Sequence, residues 1–363
     1  MIEMSDLLQL VLDEGASDVH ITVGVPPMLR INGTLTPLDT DILAPEDTER
    51  LMKSITSEGK RVEVGEKGGT DFGFSFGEQG RFRVSVLKQK GSYGIVLRTI
   101  SNTLLTMEQI GLPPIIKDLL FKPRGLILVT GPTGSGKSTT LASLIDIINR
   151  ERNEHIITVE DPIEFYHEHK NCVVTQREVG SDVSSFSEAL RRALRQDPDV
   201  IVVGEMRDRE SFESALVAAD TGHLVMSTLH TANAGQSIGR ILDFYPFAER
   251  DAMRGALGES LQAIVCQRLI PRATGKGVVP CNEVLINNGT IKKLILDDRI
   301  DRLAAAIEAG GEDGMFSFDQ RLVQLVNEGL ITEEKALEKS NNPEALTMKL
   351  KGINLNTDNA ILG

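Results

Sequence analysis

Gly131-Pro132-Thr133-Gly134-Ser135-Gly136-Lys137-Ser138-Thr139 fits G-x-x-x-x-G-K-[ST], the pattern of a phosphate-binding loop. Its flanks agree with it. Leu126 to Val129 is a short apolar run that reads as a buried strand. Downstream, Leu141, Leu144, Ile145 and Ile148 recur at the spacing of one helix face. Strand, glycine loop and helix in that order is the context the motif requires. Glycines let successive backbone N–H groups turn toward one anion, and the helix N-terminus adds its positive end. Gly131, Thr133, Gly134, Ser135, Gly136, Lys137, Ser138 and Thr139 are therefore the candidate nucleotide contacts. Lys137 is expected to reach the β and γ phosphates, and the Ser138 hydroxyl to ligate Mg²⁺.

Composition sets the limits. A chain of 363 residues suggests two or three domains, and 40% apolar content is enough for true cores. No run approaches the ~20 apolar residues of a membrane span. Met1 to Asp13 is acidic and amphipathic, unlike a secretory signal. Cys172, Cys266 and Cys281 are scattered, which argues against a disulfide framework or a cysteine zinc site and fits a reducing cytosol. A net charge of −13 and an aromatic content of 4% weigh against a nucleic-acid partner, which calls for basic surface and stacking rings.

The first hundred residues read as an α+β module with an antiparallel sheet. A helix over 3–14 stops at Gly15, and Val19, Ile21 and Val23 alternate with polar residues as a half-buried strand. Leu29-Arg30-Ile31 runs into an Asn32-Gly33 turn. A helix near Pro45 to Ser57 precedes strands at 70–76, 80–88 and 92–100. In the second of these, Arg81, Arg83 and Ser85 share a face opposite Phe82, Val84 and Val86, and Arg98 sits near the end of the third. The plain reading is a solvated sheet face. The alternative is an arginine that steadies transition-state charge on a neighbouring subunit's triphosphate.

Residues 101–114 form the expected linker. Beyond it, strands alternate with helices as in a parallel α/β sheet. The ligand of such a sheet sits at the carboxyl ends of its strands. The strand at 155–159 releases Glu160-Asp161-Pro162-Ile163-Glu164 there, which places Glu160 and Asp161 toward the nucleotide. The strand at 200–203, after Asp197-Pro198-Asp199, delivers Gly204-Glu205. Glycine stands where such strands often end in aspartate, so Glu205 must hold Mg²⁺ through water or activate the attacking water. Glu164 is the other candidate for water activation. The strand opened by His223 closes at His230, which is placed to hydrogen-bond a γ phosphate. Metal binding by the two is disfavoured, since residues seven apart on a strand face opposite ways. Met253, Leu257, Leu261 and Ile264 mark a further helix, and beyond Pro271 the chain reads as mostly helical, with a frayed tail after Gly352. These residues together call for an NTP hydrolase.

The sequence resembles the PilT family of type IV pilus retraction ATPases, within the wider secretion ATPases. The resemblance rests on Ser17-Asp18-Val19-His20, Arg30-Ile31-Asn32-Gly33, Gly80-Arg81-Phe82-Arg83 and the phosphate loop. It extends to Glu160–Glu164 as an Asp box, and to Asp197-Pro198-Asp199 through Gly204-Glu205-Met206-Arg207-Asp208 as a Walker B in which glycine precedes glutamate. Thr221-Gly222-His223 through Leu229-His230-Thr231 matches a His box, and Gln267-Arg268-Leu269 follows at the expected place.

The resemblance implies a PAS-like domain over 1–100 and a RecA-like core over 115–270, with its helical C-terminal part over 271–363. It implies a hexameric ring with ATP and Mg²⁺ bound between the two domains. Arg81, Arg83 and Arg98 would complete the pocket, with His223 among the nucleotide contacts. The implied setting is cytoplasmic, peripheral to the inner membrane, against a pilus platform protein and alongside paralogous motors. Extension and type II secretion relatives usually carry an extra N-terminal domain and a four-cysteine motif. This chain starts almost at the PAS-like domain and lacks that motif, which favours retraction. Thr290-Ile291-Lys292-Lys293-Leu294-Ile295 keeps only the aliphatic skeleton of the family's Ala-Ile-Arg-Asn-Leu-Ile stretch, and the stretch 315–350 resembles the PilU-type accessory motors. Accessory retraction, type II secretion or pilus assembly, and a RecA-like nucleic-acid translocase are the alternatives.

Overall fold

The structure, a computed structural model, describes residues 2–31, 33–77, 79–100 and 104–352. Asn32 of the expected hairpin turn, residues 101–103 of the expected linker and the tail beyond Gly352 lie outside the described residues. The chain divides into two compact units, Met1–Thr103 with Pro162–Tyr166, and Leu104–Asp161 with His167–Gly363.

The first unit holds a six-stranded antiparallel sheet. Its strands are β1 (Asp18–Ile21), β2 (Met28–Ile31), β3 (Thr34–Pro37), β4 (Gly69–Phe76), β5 (Gly80–Gln89) and β6 (Ser92–Ile100), in the order β3-β2-β1-β6-β5-β4. Helices Met4–Asp13 and Pro45–Ile55 bury Leu7, Leu8, Val11, Leu51 and Met52 with Phe82, Val84, Val86, Ile95 and Leu97 of the sheet in one apolar core. Helix Glu58–Lys67 escaped the sequence reading. It buries Val64 among its own residues and contains two glycines, so it has almost no apolar face to detect.

That helix carries an acid with a measurable role. Glu63 accepts hydrogen bonds from Thr70 Oγ1 at 2.7 Å and Lys67 Nζ at 3.1 Å. The Thr70 hydroxyl first, then Lys67, hold its carboxyl down to about 2. A depressed folded pKa stabilises above the ordinary carboxylate value and loses that stabilisation as pH falls toward the folded one. The side chain is 31% exposed, so solvent screening leaves about 1 kcal/mol. Glu63→Gln is expected to lower the first unit's melting temperature by a few degrees at pH 7, with the gap shrinking as pH falls from 4.5 toward 2. A gap that calorimetry finds constant across that range would show that the carboxylate charge is not its source.

The expected solvated face of β5 holds at Arg83, which is exposed, and fails at Arg81, which is 3% exposed. The cause is the segment Pro162–Tyr166. Arg81 Nε donates to Ile163 O at 2.9 Å and Nη1 to Ser75 Oγ at 3.0 Å, and the guanidinium lies 3.8 Å from the Tyr166 ring centre. These contacts hold Arg81 inside the first unit.

The second unit is built on seven strands: β7 (Gly125–Thr130), β8 (His155–Glu160), β9 (Val173–Glu178), β10 (Val200–Val203), β11 (Leu224–Leu229), β12 (Leu261–Pro271) and β13 (Val278–Ile286). Their order is β13-β12-β7-β11-β10-β8-β9, and all neighbours are parallel except β12 with β13. β7, β10 and β11 are buried along their whole length, the pattern of a parallel sheet covered on both faces.

Three expectations change here. The expected helix through Ile264 ends at Ser260, because Leu261 and Ile264 fit a helix face and a strand alike and the run Leu261–Cys266 pairs with β7. The stretch after Pro271 is not helical at first but returns as β13, whose Val284, Leu285 and Ile286 close the sheet edge. Part of the expected linker is ordered: Met107–Ile110 is a short helix with a Thr106 capping box, and Leu105 N donates to Ser143 Oγ at 2.9 Å. Farther on, Thr332 caps helix Glu333–Lys339 as its sequence suggested, by accepting from Lys335 N. Among the described residues no helix is long and apolar enough to cross a membrane.

Candidate active site

The neighbouring parallel strands β7, β11, β10 and β8 end at Thr130, Leu229, Val203 and Glu160. The phosphate loop, His230, Gly204-Glu205 and Asp161 therefore leave the sheet along one rim.

The loop leads from β7 into helix Lys137–Glu151, whose N-cap is Gly136. Gly131 has φ 149° and Gly136 φ 85°, where side chains are strained. A Cβ at Gly131 would lie 2.4 Å from Gln267 O, and one at Gly136 2.7 Å from Gln267 Nε2. The loop is thus a glycine cradle that only bare backbone can form. Within it Ser135 Oγ is buried and finds no hydrogen-bond partner among the described residues. A glycine cradle with an orphaned hydroxyl fits a phosphate oxygen.

Lys137 Nζ donates to Gly131 O at 2.9 Å and Pro132 O at 3.1 Å, and lies 3.4 Å from His230 Nδ1. His230 Nε2 faces Glu205 Oε1 at 3.2 Å. An ammonium can only donate, so Nδ1 accepts and Nε2 carries the proton toward the carboxylate. The other oxygen, Glu205 Oε2, accepts from Arg207 Nε at 2.8 Å, and Arg207 Nη1 lies 3.5 Å from Asp161 Oδ2. The hydrogen bond to Glu205, more than any other influence, raises the Arg207 pKa further. Lys137, His230, Glu205, Arg207 and Asp161 form one continuous chain of polar contacts. Glu160, beside them, accepts from Thr158 Oγ1 at 2.6 Å and Gln176 Nε2 at 3.2 Å.

Local ties explain why Glu205 stands there. Ser227 Oγ donates to Val203 O at 2.7 Å and Thr228 Oγ1 to Gly204 O at 2.6 Å, fastening the end of β10 to β11. Asp208 caps helix Arg209–Asp220 by accepting from Ser211 N at 2.8 Å. Glu205-Met206-Arg207 is stretched between strand end and helix cap. Gly204 is set by close approach, since a Cβ there would lie 3.3 Å from both Glu160 Cα and Val159 O. Both are backbone atoms and cannot step aside cheaply. Gly204→Asp, which restores the residue common at such strand ends, is expected to destabilise the second unit by about 1–3 kcal/mol and to lower turnover. A variant with unchanged melting temperature and activity would refute that steric account.

Not every candidate joins the group. His223 precedes β11 at the opposite end of the strand from His230, with Nδ1 2.9 Å from Ala218 O. The sheet therefore separates it from this chain's own loop, contrary to its expected place among the nucleotide contacts. Arg81, Arg83, Arg98 and Glu164 belong to the first unit. There Arg83 and Arg98 are cross-strand partners, and Arg98 Nε donates to Asp18 Oδ1 at 2.8 Å while its side chain stays 69% exposed. Burial alone would raise the Asp18 pKa, but hydrogen bonds from Arg98 and Ser17 outweigh it and leave the pKa lowered. Sequence reasoning assigned no role to Arg207. Its signal was there: a basic residue two places beyond Glu205, directly before the cap.

Residues 2–309 match the family model described as type II/IV secretion system protein. The type IV pilus retraction ATPase PilT of Pseudomonas aeruginosa is 45% identical over 343 residues, spanning 94% of this chain and 99% of that protein. The chain belongs to the PilT family of secretion ATPases. The type IV pilus ATPase PilU of the same organism is 41% identical, spanning 96% of this chain and 92% of its own. A crystal structure of the pilus retraction motor PilT with bound ADP superposes with a TM-score of 0.89 at 45% identity, over 95% of this chain and 98% of that one. The PilT family fold, a mixed α/β ATPase architecture, is thereby the fold of this chain.

Proposed function

We propose that this chain is a cytoplasmic, hexameric motor that hydrolyses ATP to withdraw type IV pili. The observation that carries the chemistry is the polar chain from Lys137 through His230 to Glu205 and Arg207. It sets a phosphate-binding cation and a carboxylate on either side of one histidine. Attack is in line, by water on the γ phosphate. Gly131 to Thr139 cradle the phosphates, and Lys137 moves from its loop carbonyls to them. Glu205 takes the water proton, with Glu164 as the competing base. His230 links the carboxylate to the γ-phosphate site. Asp161 and Glu160 complete the acidic rim, and Arg83 and Arg98 steady charge at a nucleotide of this or a neighbouring subunit.

Among the described residues no three His, Cys, Asp or Glu side chains converge on a metal. Mg²⁺ is assigned to Ser138, to Glu205 through water, and to the phosphates themselves, the usual way that ion is held. Bound there it would neutralise charge on the phosphates. The first unit is assigned as the PAS-like domain and the second as the RecA-like core. The proposed partners are five further copies, an inner-membrane platform protein and paralogous pilus motors.

An accessory role of the PilU kind is the second reading, and the stretch Thr290–Ile295 favours it. In helix Gly289–Leu296, Ile291 and Ile295 are fully buried, so the retained skeleton is core. The positions that depart from the family pattern, Thr290, Lys292 and Lys293, are outward, and Lys292 pairs with Glu259 at 2.7 Å. Steady-state ATPase rate with light-scattering mass tests the motor. Twitching of a cell lacking its retraction motor and expressing this chain then separates the readings: restored motility supports retraction, and motility restored only beside a second motor supports the accessory role. A monomer without ATPase activity would overturn both.

A further inference from the structure

Gln267-Arg268-Leu269 belongs to the sequence pattern but has no task in the site above. Cys266 pairs with Thr130 in the β12–β7 register, so Gln267 comes level with Gly131, where the phosphate loop begins. Its side chain is 3% exposed. Gln267 Nε2 donates to Ser135 O at 2.6 Å, and Oε1 accepts from Thr140 Oγ1 at 2.7 Å. The same amide nitrogen occupies the space that a Cβ of Gly136 would need, and the Gln267 carbonyl does so at Gly131. Arg268, next along the strand, turns to the other face, where Nη1 donates to Lys339 O at 2.7 Å and Nη2 to Asn341 Oδ1 at 2.8 Å. The strand's alternation assigns one residue to the C-terminal helices and the other to the loop.

The geometry has a consequence for the ligand. In a trans peptide the carbonyl and the following N–H point to opposite sides. Drawing Ser135 O toward β12 turns Gly136 N–H away from β12, into the concave side of the loop. The Ser135 carbonyl needs a donor, which fixes the amide orientation of Gln267, and the Thr140 hydroxyl supplies the matching donor on the other side. Thr140 N in turn donates to Gly136 O at 3.0 Å, so both ends of this clamp grip the first turn of the helix.

We propose that Gln267 is a positioning residue that fixes the Ser135–Gly136 peptide so that Gly136 N–H faces the nucleotide phosphates. The proposal rests on the reading that this loop binds ATP. The oriented N–H serves ground state and transition state alike, so its loss acts on binding more than on the chemical step.

The test measures ADP affinity by calorimetry, kcat and KM for ATP, and melting temperature, in the full-length chain. The variants are Gln267→Leu, Thr140→Val and the double substitution. Gln267→Leu is expected to weaken ADP binding and raise KM about tenfold, the effect of losing one hydrogen bond that orders a charged ligand's site, with kcat changed less than about threefold. Thr140→Val frees the amide to turn and acts in the same direction, more weakly. The double variant is no worse than Gln267→Leu, because both remove one device. Wild-type ADP affinity in Gln267→Leu, or additive losses in the double variant, would overturn the clamp. If Gln267→Leu does not fold, unchanged KM in Thr140→Val overturns it equally. Lys137→Ala is the control for the underlying reading. Full ADP binding and hydrolysis in that variant would remove the nucleotide site itself, whereas a normal site indifferent to Gln267 removes the clamp alone.

Discussion

Lys137→Ala is expected to leave a folded protein with no measurable ATP hydrolysis, a fall of at least about a thousandfold. Lys137 is 8% exposed, and its ammonium is shared among two loop carbonyls and His230 Nδ1. Those contacts do two things. They store the cation beside the place the γ phosphate must reach, and they fill the loop's own acceptors. Alanine removes the only lysine of the loop, and with it the loop's own cation for the charge that develops on the phosphate oxygens. It also takes the donor from His230 Nδ1, and with it the reason for Nε2 to carry the proton that meets Glu205. Stability falls much less, since Pro132 O still accepts from Ser135 N at 3.2 Å and the loop is partly solvated. Steady-state phosphate release beside a melting curve separates these effects. Wild-type turnover in a folded Lys137→Ala chain would sink the site assignment.

The loop, the strand before it and the helix after it were legible because their chemistry is local. Glycine, lysine and a periodic apolar face are dictated within about twenty consecutive residues. β7, β8, β10 and β11 were legible for a related reason, as each is a short apolar run released at a polar end. β9, β12 and β13 were not. Leu261 and Ile264 satisfy the spacing of a helix that ends one residue earlier, and only pairing with β7 decides between the two states. Arg81 shows the same limit on the first unit's sheet. Alternation gives it the solvated face of Arg83, but a segment eighty residues on covers it. The sequence already set His223 and His230 at opposite ends of one strand, and β11 keeps them there, one at the loop and the other at the far rim. Arg207 and Gln267 were visible as letters but not as parts. The Gln267 clamp and the contact of Arg207 with Asp161 depend on which strand lies beside which; only the bond of Arg207 to Glu205 is local.

Glu205→Gln is expected to reduce turnover by about a thousandfold while ADP affinity stays within about threefold of wild type. The substitution is nearly isosteric. An amide oxygen can still accept from His230 Nε2, which keeps the histidine in place. What disappears is the capacity to take a proton from water, together with the charge that draws Arg207 Nε to 2.8 Å. Arg207 then has only Asp161 within reach among the carboxylates of its present contacts, and it shifts toward that side. A loss confined to kcat would therefore identify Glu205 as the group that acts in the transition state. Glu164→Gln in parallel distinguishes the two acids, because Glu164 lies in a segment that belongs to the first unit, whereas Glu205 belongs to the second. If Glu164→Gln stops turnover and Glu205→Gln only slows it a few fold, the base is Glu164. Glu205 would then be the residue that orients His230 and Arg207, and the glycine before it would serve the packing of β10 against β8 rather than the chemistry.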